Sequence, residues 1–362
     1  MPSLSFSFKR GDKWFFVMPF ILSLFGLMAV FDASSVSALR DFNDKFHFLK
    51  NQAVWFFMGF LLFFIFSRLD LRFLKKISFP LLVLNIFFLI LVLIPGVGKE
   101  IYGGKRWLNF FGFGFQPAEM TKLTLIIYFS TFFEKKKPLL PFLTIIGIIL
   151  GLLVLEPDLG SAAIIISTAL CLYFIAGAPL KTIFGVSLLG MVLFPVLALF
   201  SPYRKQRLVD FLSSAFDIKG ASYHVKQVLI ALGSGGFFGR GFGQSRQKFL
   251  FLPEAVTDSI AAVLGEEFGF LGLIILVLAF LFLVYRIFKL AMAVKDPFSK
   301  ILLSGIAFFL GIQTVINLGA IAVLVPFTGV PLPFISYGGS SLLICLVSMG
   351  IVYNISRKNL KF

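Results

Sequence analysis

The chain has 362 residues, of which 59% are hydrophobic and only 14% are charged, and 50 of them are phenylalanine. These proportions exclude an ordinary soluble domain and indicate a protein that crosses a bilayer many times. The net charge of +16 does not by itself indicate a nucleic-acid partner, because membrane proteins concentrate cations in cytoplasmic loops and against anionic lipid. The two cysteines both lie in apolar runs and form neither a disulfide framework nor a metal-binding pattern.

Apolar runs recur along the whole chain and predict an all-α polytopic membrane protein with about ten transmembrane helices in a single domain, residues 1–362. The predicted spans cover approximately residues 14–31, 53–66, 79–94, 117–133, 139–155, 161–176, 181–200, 259–288, 301–325 and 341–355. The first run also resembles a signal peptide, with small residues at 36–38, but its length favours an uncleaved span. One long polar loop, at about 201–258, separates spans seven and eight.

The distribution of cations orients these spans. The short loops on the side of both termini carry most of the lysine and arginine residues, which predicts that both termini are cytoplasmic. The loop 201–258 is then extracytoplasmic although it is basic, because long loops cross the membrane largely regardless of charge. Its cations suit phosphate or pyrophosphate, or simply anionic lipid headgroups.

Glycine-rich runs lie within this loop at 233–236 and 239–243. Such runs can form nests of backbone N–H groups that bind anions, or they can be flexible connectors. The stretch 221–232 has the pattern of a short amphipathic helix at the membrane interface. Gly265 and Gly269, in the next span, predict close packing of a neighbouring helix.

The stretch from Gln244 to Gly269 combines cations, Pro253 and two carboxylates directly before a long apolar run. Proline suits the first turn of a helix, so we predict that span eight begins near Pro253. Glu254 and Asp258 would then lie one turn apart on one face, at the positive end of the helix dipole. A carboxylate at a membrane surface beside cations suits a base that acts on an anionic lipid. The alternative is that Asp258 only caps the helix.

Further polar residues lie inside the predicted spans. Glu119 and Lys122 are three residues apart near the start of span four, and we expect them to form either a structural ion pair or a wall of the substrate site. Glu266 could point toward the same cavity as Asp258. Gln313 and Asn317 predict interhelical hydrogen bonds rather than ligands.

Six blocks of residues resemble, in the same order, the signature blocks of the FtsW/RodA/SpoVE (SEDS) family. They are QPAEMTK at 116–122, EPDLGSA at 156–162, GSGG at 233–236, LPEAVTD at 252–258, GEEFG at 265–269 and PLPFISYGGSS at 331–341. The runs at 245–248 and 331–334 resemble the FtsW branch more than RodA. Val256, Ser259 and Ala261 differ from residues frequent in the family, which changes packing beside the site and leaves Asp258 in place.

The resemblance implies a peptidoglycan glycosyltransferase that polymerises lipid II into glycan strands at the outer face of the cytoplasmic membrane, for cell division or elongation. It implies a class B penicillin-binding protein as transpeptidase partner, and contacts with other divisome or elongasome membrane proteins. Asp258 matches the family's essential acid and would be the general base. The residues expected to bind substrate or shape its site are Glu119, Lys122, Arg246, Lys248, Arg204, Arg207, Arg106, Glu254 and Ser341.

The cations in this set would stabilise the pyrophosphate leaving group. A divalent cation, Mg or Mn, could assist there, although the sequence contains no dedicated ligand cluster. Two other classes of protein fit the same features. One is a flippase that moves lipid II without chemistry, and the other is a non-catalytic scaffold that recruits the penicillin-binding protein.

Overall fold

The structure, a computed structural model, describes residues 11–101, 104–110, 113–134, 138–199, 205, 209, 211, 213 and 221–359. The described helices are α1 (Trp14–Phe42), α2 (His47–Phe66), α3 (Leu71–Leu93), α4 (Pro117–Phe132), α5 (Leu139–Leu155), α6 (Leu159–Ile175), α7 (Leu180–Leu199), α8 (Tyr223–Gly235), α9 (Ile260–Ala293), α10 (Pro297–Ile321) and α11 (Gly339–Asn359). Each of the ten predicted spans corresponds to one of these helices. Within the described part of the chain, six helices are long and apolar enough to cross a membrane, and α5, α6 and α7 are shorter apolar helices.

Different segments of the chain meet at the two ends of the helix bundle. At one end the N-terminal part meets the C-terminal helix, since the backbone N–H of Asp12 donates to Ser356 Oγ at 3.2 Å. Arg286 pairs with Asp12 at the same end. The described chain therefore begins and ends on one side of the bundle, as an even number of spans requires. The loops before α4, α6, α9 and α11 meet at the opposite end.

The most buried helices are in the centre. The apolar window of α10 is 67% buried and that of α11 is 89% buried, whereas those of α2, α3 and α9 are 22 to 28% buried. Most of α4 is buried as well, including both of its charged residues. The outer helices therefore present their apolar side chains to lipid, and the polar residues of the central helices must find partners within the protein.

A small antiparallel sheet, which was not predicted from the sequence, follows α3. Its strands are β1 (Gly98–Ile101), β2 (Gly104–Phe110) and β3 (Phe113–Phe115), in the order β1-β2-β3. In β2 the side chains alternate between faces, so Arg106 and the buried Leu108 share the face toward the helices. The strands are short and rich in glycine, which made this stretch look like a turn.

The start of α9 differs from the prediction. The helix begins at Ile260 instead of near Pro253, and residues 249–258 form turns. Glu254 has a φ of 52°, in the left-handed region, so it cannot continue a right-handed helix. Glu254 and Asp258 therefore do not share a helix face. The reason is tertiary, because the backbone at 256–258 is hydrogen-bonded to other parts of the chain.

A break at Gly269 divides α9. Gly269 has φ 68° and ψ −167°, which interrupts the helix and leaves four backbone groups without intrahelical partners. Such groups must be satisfied inside a membrane protein. The glycine-rich loop satisfies them through the pairs Arg240 N–Glu266 O (3.0 Å), Gly241 N–Glu267 O (2.9 Å), Phe270 N–Gly236 O (2.9 Å) and Leu271 N–Phe237 O (3.1 Å).

This contact explains the glycines of the loop. A Cβ on Gly239 would lie 2.1 Å from the carbonyl oxygen of Glu267, and one on Gly269 would lie 2.3 Å from the nitrogen of Gly239. The close-packing prediction for Gly269 agrees with this contact. The run at 239–243 is not a free connector, because the N–H groups of Arg240 and Gly241 complete α9. The predicted amphipathic helix is α8, which packs against α9.

We predict that Gly269→Ala destabilises the fold by roughly 1–3 kcal/mol from backbone strain alone, because alanine tolerates a positive φ poorly. The added methyl would also collide with the backbone of the loop. The melting temperature in detergent measures the loss. Gly147→Ala is the matched control, since a Cβ there meets no atom within 4 Å. Equal melting temperatures for the two variants would show that the break is not required.

Candidate active site

The backbone around Asp258 is held from three sides. The carbonyl groups of residues 256–258 and the side-chain hydroxyl of Ser259 form hydrogen bonds with α8, α10 and the loop before α11. The contacts are Tyr337 N–Val256 O (2.9 Å), Ser336 Oγ–Thr257 O (2.5 Å), Asn317 Nδ2–Asp258 O (2.9 Å) and His224 Nε2–Ser259 Oγ (2.8 Å). Four consecutive residues are thereby fixed before α9 begins, so the position of the Asp258 side chain is set by the surrounding fold.

The carboxylate of Asp258 lies beside a second carboxylate. Thr257 Oγ1 is 3.0 Å from Asp258 Oδ1 and 2.8 Å from Glu254 Oε2. A hydroxyl has one proton, so Thr257 can donate to only one of the two acids at a time. Asp258 is 6% exposed, and Glu254 is half-buried. The arrangement is a sheltered carboxylate with a neutral donor and a second acid beside it, rather than a helix cap.

The predicted pair Glu119 and Lys122 is a buried ion pair. Lys122 Nζ is 2.5 Å from Glu119 Oε1, and both residues are 2% exposed. The same ammonium donates to Gln313 Oε1 at 3.0 Å. A lysine buried this deeply requires a carboxylate and further hydrogen-bond acceptors, and α10 provides one such acceptor through Gln313.

One face of α10 connects this ion pair to Asp258. Gln313 and Asn317 are one turn apart; the first binds Lys122, and the second binds the carbonyl groups of Asp258 and Val330, at 2.9 and 2.8 Å. The prediction of an interhelical hydrogen bond is confirmed for Gln313, whereas Asn317 bonds to two loops instead of a second helix. The pair and Asp258 therefore belong to one continuous polar cluster between α4, α10 and the loop that precedes α9.

Ser341 lies in the same cluster. Its hydroxyl is 3.3 Å from Gln313 Nε2, and the side chain is buried at the start of α11. The structure thus brings together five of the predicted site residues, Asp258, Glu254, Glu119, Lys122 and Ser341.

Lys248 does not have the pyrophosphate-binding role that its charge predicted. Its ammonium is buried between Asp32 Oδ1, at 2.6 Å, and Glu267 Oε1, at 2.9 Å. Two carboxylates already neutralise this cation, so it ties the loop to α1 and α9 instead of meeting a pyrophosphate.

Glu266 is also an anchor of the loop and does not face the Asp258 cluster. Its carboxylate accepts hydrogen bonds from two serine hydroxyls and two backbone N–H groups, and it pairs with Arg240. These donors are Ser245 Oγ (2.6 Å), Ser234 Oγ (3.1 Å), Gln247 N (3.1 Å), Arg246 N (3.2 Å) and Arg240 Nη1 (3.3 Å).

Arg106 supports the turn between α5 and α6. Its Nε and Nη2 groups donate to the carbonyl oxygens of Glu156 and Pro157, at 3.1 and 2.5 Å. The predicted pyrophosphate contact is therefore replaced by two backbone contacts. The Glu156 side chain beside it is fully buried, and neither carboxyl oxygen has a hydrogen-bond partner. Burial raises the pKa of Glu156 from 4.5 to about 9, with a smaller contribution from Asp158.

Of the three remaining predicted cations, only Arg246 lies within the described residues. Arg246 is exposed, and its guanidinium makes no ion pair or hydrogen bond with the described part of the chain. Arg204 and Arg207 lie outside the described residues. Among residues 11–101, 104–110, 113–134, 138–199 and 221–359, no group of three or more His, Cys, Asp or Glu side chains is placed to hold a metal ion.

Two residues of the site, which form one contact, were not assigned from the sequence. His224 was too isolated in the chain to assign, and Ser259 was noted only as a departure from the family pattern, yet they meet beside Asp258. Only the fold brings α8 to this point. The i, i+4 spacing of Gln313 and Asn317 on an apolar helix was the one local signal that pointed toward the cluster.

Comparison with known proteins gives concordant results over almost the whole chain. A family profile described as "Cell cycle protein", for the FtsW, RodA and SpoVE proteins, matches residues 12–361. A relative from Trichlorobacter lovleyi, named probable peptidoglycan glycosyltransferase FtsW, is 38% identical over 359 residues, covering 97% of this chain and 94% of the relative.

Solved structures agree with the sequence relatives. The rod shape determining protein RodA of Thermus thermophilus matches with a TM-score of 0.72 and 28% identity, covering 97% of this chain and 98% of that one. A chain of a peptidoglycan synthase complex, solved to explain the coordination of polymerization and crosslinking, matches with a TM-score of 0.77 and 28% identity, covering 97% and 99%.

We predict that Glu156→Gln makes the protein more stable at alkaline pH. The folded protein binds the Glu156 proton up to about pH 9, whereas the unfolded chain releases it near 4.5. Wild-type stability therefore falls as pH rises through this window, by up to about 1.4 kcal/mol per pH unit, and glutamine removes the effect. Melting temperatures in detergent between pH 5 and pH 8.5 test this.

The expected difference between the glutamine variant and wild type grows with pH and is smallest near pH 5. Asp44→Asn is the control, because the hydrogen bond from Lys50 lowers the pKa of Asp44, in the loop after α1, and the group stays ionised over this range. A constant difference across the range for Glu156→Gln would contradict a buried neutral acid.

Proposed function

The chain belongs to the FtsW, RodA and SpoVE family of cell cycle proteins, and we propose that it is a peptidoglycan glycosyltransferase that polymerises lipid II with Asp258 as its general base. Family membership rests on a match that spans residues 12–361. The observation that carries the assignment of the base is the fixed backbone at 256–259, which holds one sheltered carboxylate in a defined place beside Thr257 and Glu254.

The chemistry needs such a carboxylate. Chain growth requires a sugar 4-hydroxyl to attack the anomeric carbon of a second sugar, whose pyrophosphate-linked lipid leaves. The hydroxyl is a weak nucleophile, and a base that accepts its proton as the bond forms lowers the barrier. Asp258 is the base. Thr257 donates to one oxygen of Asp258 or to Glu254, and so helps to orient the carboxylate that takes the proton.

The departing pyrophosphate requires positive charge. Arg246 is the predicted cation that the structure leaves exposed, and we assign it to this role, with Arg204 and Arg207 as further candidates from the same loop. A divalent cation, Mg or Mn, would take most of its ligands from the pyrophosphate, would stabilise its negative charge, and could be held by Asp258 and Glu254. Glu119, Lys122 and Ser341 shape the site by holding Gln313, and they act on Asp258 through α10.

The protein spans the membrane many times, and we propose the cytoplasmic membrane with both termini in the cytoplasm. The short loops on the side of the termini carry most of the cations, and residues 12 and 356 meet at that end. Asp258 is then at the outer face. One structural relative belongs to a peptidoglycan synthase complex that combines polymerization with crosslinking. We propose a class B penicillin-binding protein as the crosslinking partner.

We predict that Asp258→Asn lowers glycan polymerisation from purified lipid II by about 10²–10⁴-fold, the range expected for loss of general-base catalysis. Product length on gels, with the transpeptidase partner present, measures the effect. Glu254→Gln is the matched control and should retain more activity, because it keeps the base. Normal polymerisation by Asp258→Asn would remove Asp258 as the base. Absence of polymerisation by the wild type, with lipid II crossing liposome membranes, would favour a flippase, and absence of both would favour a scaffold.

We predict a different effect for Asn317→Ala. It removes the donor to the Asp258 and Val330 carbonyls, so the base is less well placed, while contacts to bound lipid II change little. We expect kcat to fall roughly tenfold, equivalent to about 1.4 kcal/mol, with KM nearly unchanged. Thr314→Val is the control, because Thr314 bonds only within α10 among the described residues. An unchanged kcat, or equal changes in both variants, would show that Asn317 does not position the base.

A further inference from the structure

The loop 236–251, which we call the aromatic loop, exposes large apolar side chains that a loop in water would bury. Its exposed large side chains are Phe237, Phe238, Phe242, Phe249, Leu250 and Phe251. Phe238 is 77% exposed, the highest value among all exposed large hydrophobic residues of the described chain. A segment in water would expose its polar groups and turn its phenylalanines inward.

Two polar side chains of this loop point inward, whereas Arg240, Gln244 and Arg246 lie at its exposed surface, as in a segment at the level of the headgroups. Ser245 and Lys248 are buried, and they bind the Glu266 and Glu267 carboxylates and Asp32. An inward ion pair and an outward row of phenyl rings are what a segment in contact with hydrocarbon requires.

Most of the backbone N–H groups of the aromatic loop have partners within the protein. The N–H groups of residues 239–241, 244–250 and 252 donate to carbonyl groups, to Ser245 Oγ or to the two buried glutamates. Irregular backbone can lie at membrane depth only when its hydrogen-bonding groups have such partners. A loop of this size needs no contact with water to satisfy these groups.

The depth of the loop follows from α9. Residues 270–289 contain twenty residues and extend about 30 Å, the thickness of a hydrocarbon core. Arg286 pairs with Asp12 near the end of the bundle that holds the termini, so the break at Gly269 lies near the opposite boundary of the membrane. The aromatic loop is hydrogen-bonded to this break through Gly236 and Phe237.

The exposed surface of the loop continues the lipid-facing surface of α9. The Phe237 ring is 5.9 Å from that of Phe270, which is exposed on α9 next to the exposed Leu271 and Ile275. Arg240 lies between the phenylalanines in the sequence, and its guanidinium is turned toward the protein, where it pairs with Glu266 and donates to the carbonyl oxygen of Ser234.

We propose that the aromatic loop is inserted into the outer leaflet of the bilayer, with the phenyl rings of Phe237, Phe238 and Phe242 among the acyl chains just below the headgroups. The occupant of this surface is the phospholipid bilayer. The inserted loop holds the Gly269 break, and with it the residues that lead to Asp258, at the level of the membrane surface. This inference stands on the exposure and hydrogen bonding of the loop and does not depend on the proposed activity.

Tryptophan placed at the tip of the loop tests the proposal. The Phe238→Trp variant of the full chain is reconstituted in phosphatidylcholine vesicles, and its emission is compared with that of the wild type to correct for the three native tryptophans. Phosphatidylcholine brominated at shallow or deep acyl positions quenches from the lipid, and iodide quenches from water. Lys50→Trp is the control, because Lys50 forms an exposed ion pair with Asp44. Circular dichroism and the melting temperature verify that both variants fold.

We expect the added emission of Phe238→Trp to be lost mainly to the shallow brominated lipid, with little loss to iodide, and the reverse for Lys50→Trp. Strong quenching by iodide without quenching by lipid would overturn the proposal. Protection from both quenchers would overturn it too, because the ring would then pack on the protein. Loss of the lipid quenching when the transpeptidase partner is added would assign the surface to a protein interface instead.

Discussion

The hydrogen bond from Asn317 to the carbonyl of Asp258 is the contact on which the site depends. It joins the most buried part of the bundle to a segment that has no regular structure of its own. Asn317 also binds the carbonyl of Val330, so one amide holds two loops together. One turn earlier on the same helix, Gln313 accepts from the buried Lys122. Burial of a lysine ammonium is tolerated only with a carboxylate and good hydrogen bonds, and these needs fix α4 against α10. The irregular stretch at 256–259 is rigid because it is attached to this cluster.

The two groups of buried charges have separate roles, although they look alike in the sequence. Glu119 and Lys122 lie behind the site and hold α10 in register with α4. Asp32, Lys248 and Glu267 hold the loop that completes the broken helix α9. In each group an ammonium is neutralised by at least one carboxylate, so neither presents net positive charge to a bound anion. Charge alone therefore misled the assignment of Lys248, whose ammonium is already neutralised, whereas Arg246 is exposed.

The sequence was sufficient for the spans and for the family, and insufficient for the local geometry. Long apolar runs determine where helices cross a membrane, and all ten predicted spans are helices. Helix starts are less certain from sequence. Pro253 suggested the start of α9, but tertiary hydrogen bonds hold residues 256–258 in turns, and the helix begins at Ile260. The sheet at 98–115 was missed because its strands are short. The glycines at 235–241 were read as a loop signal, whereas their role is to approach α9 closely enough to satisfy the backbone at Gly269.

Every polar backbone group inside the membrane must find a partner, and this requirement connects the broken helix to the carboxylate that we propose as the base. A continuous α9 of 34 residues would extend about 51 Å, well beyond a hydrocarbon core of about 30 Å. The break at Gly269 allows the part before it to leave the axis of the span and to reach the loops at the outer end of the bundle. Asp258 can therefore be bound by Asn317, close to the end of α10, while Phe270 still begins a full span. A straight helix would carry the acid away from α10 and separate it from the cluster that positions it. The glycines of the loop, which touch no charged group of the site, are in this way as necessary to its geometry as the acid itself.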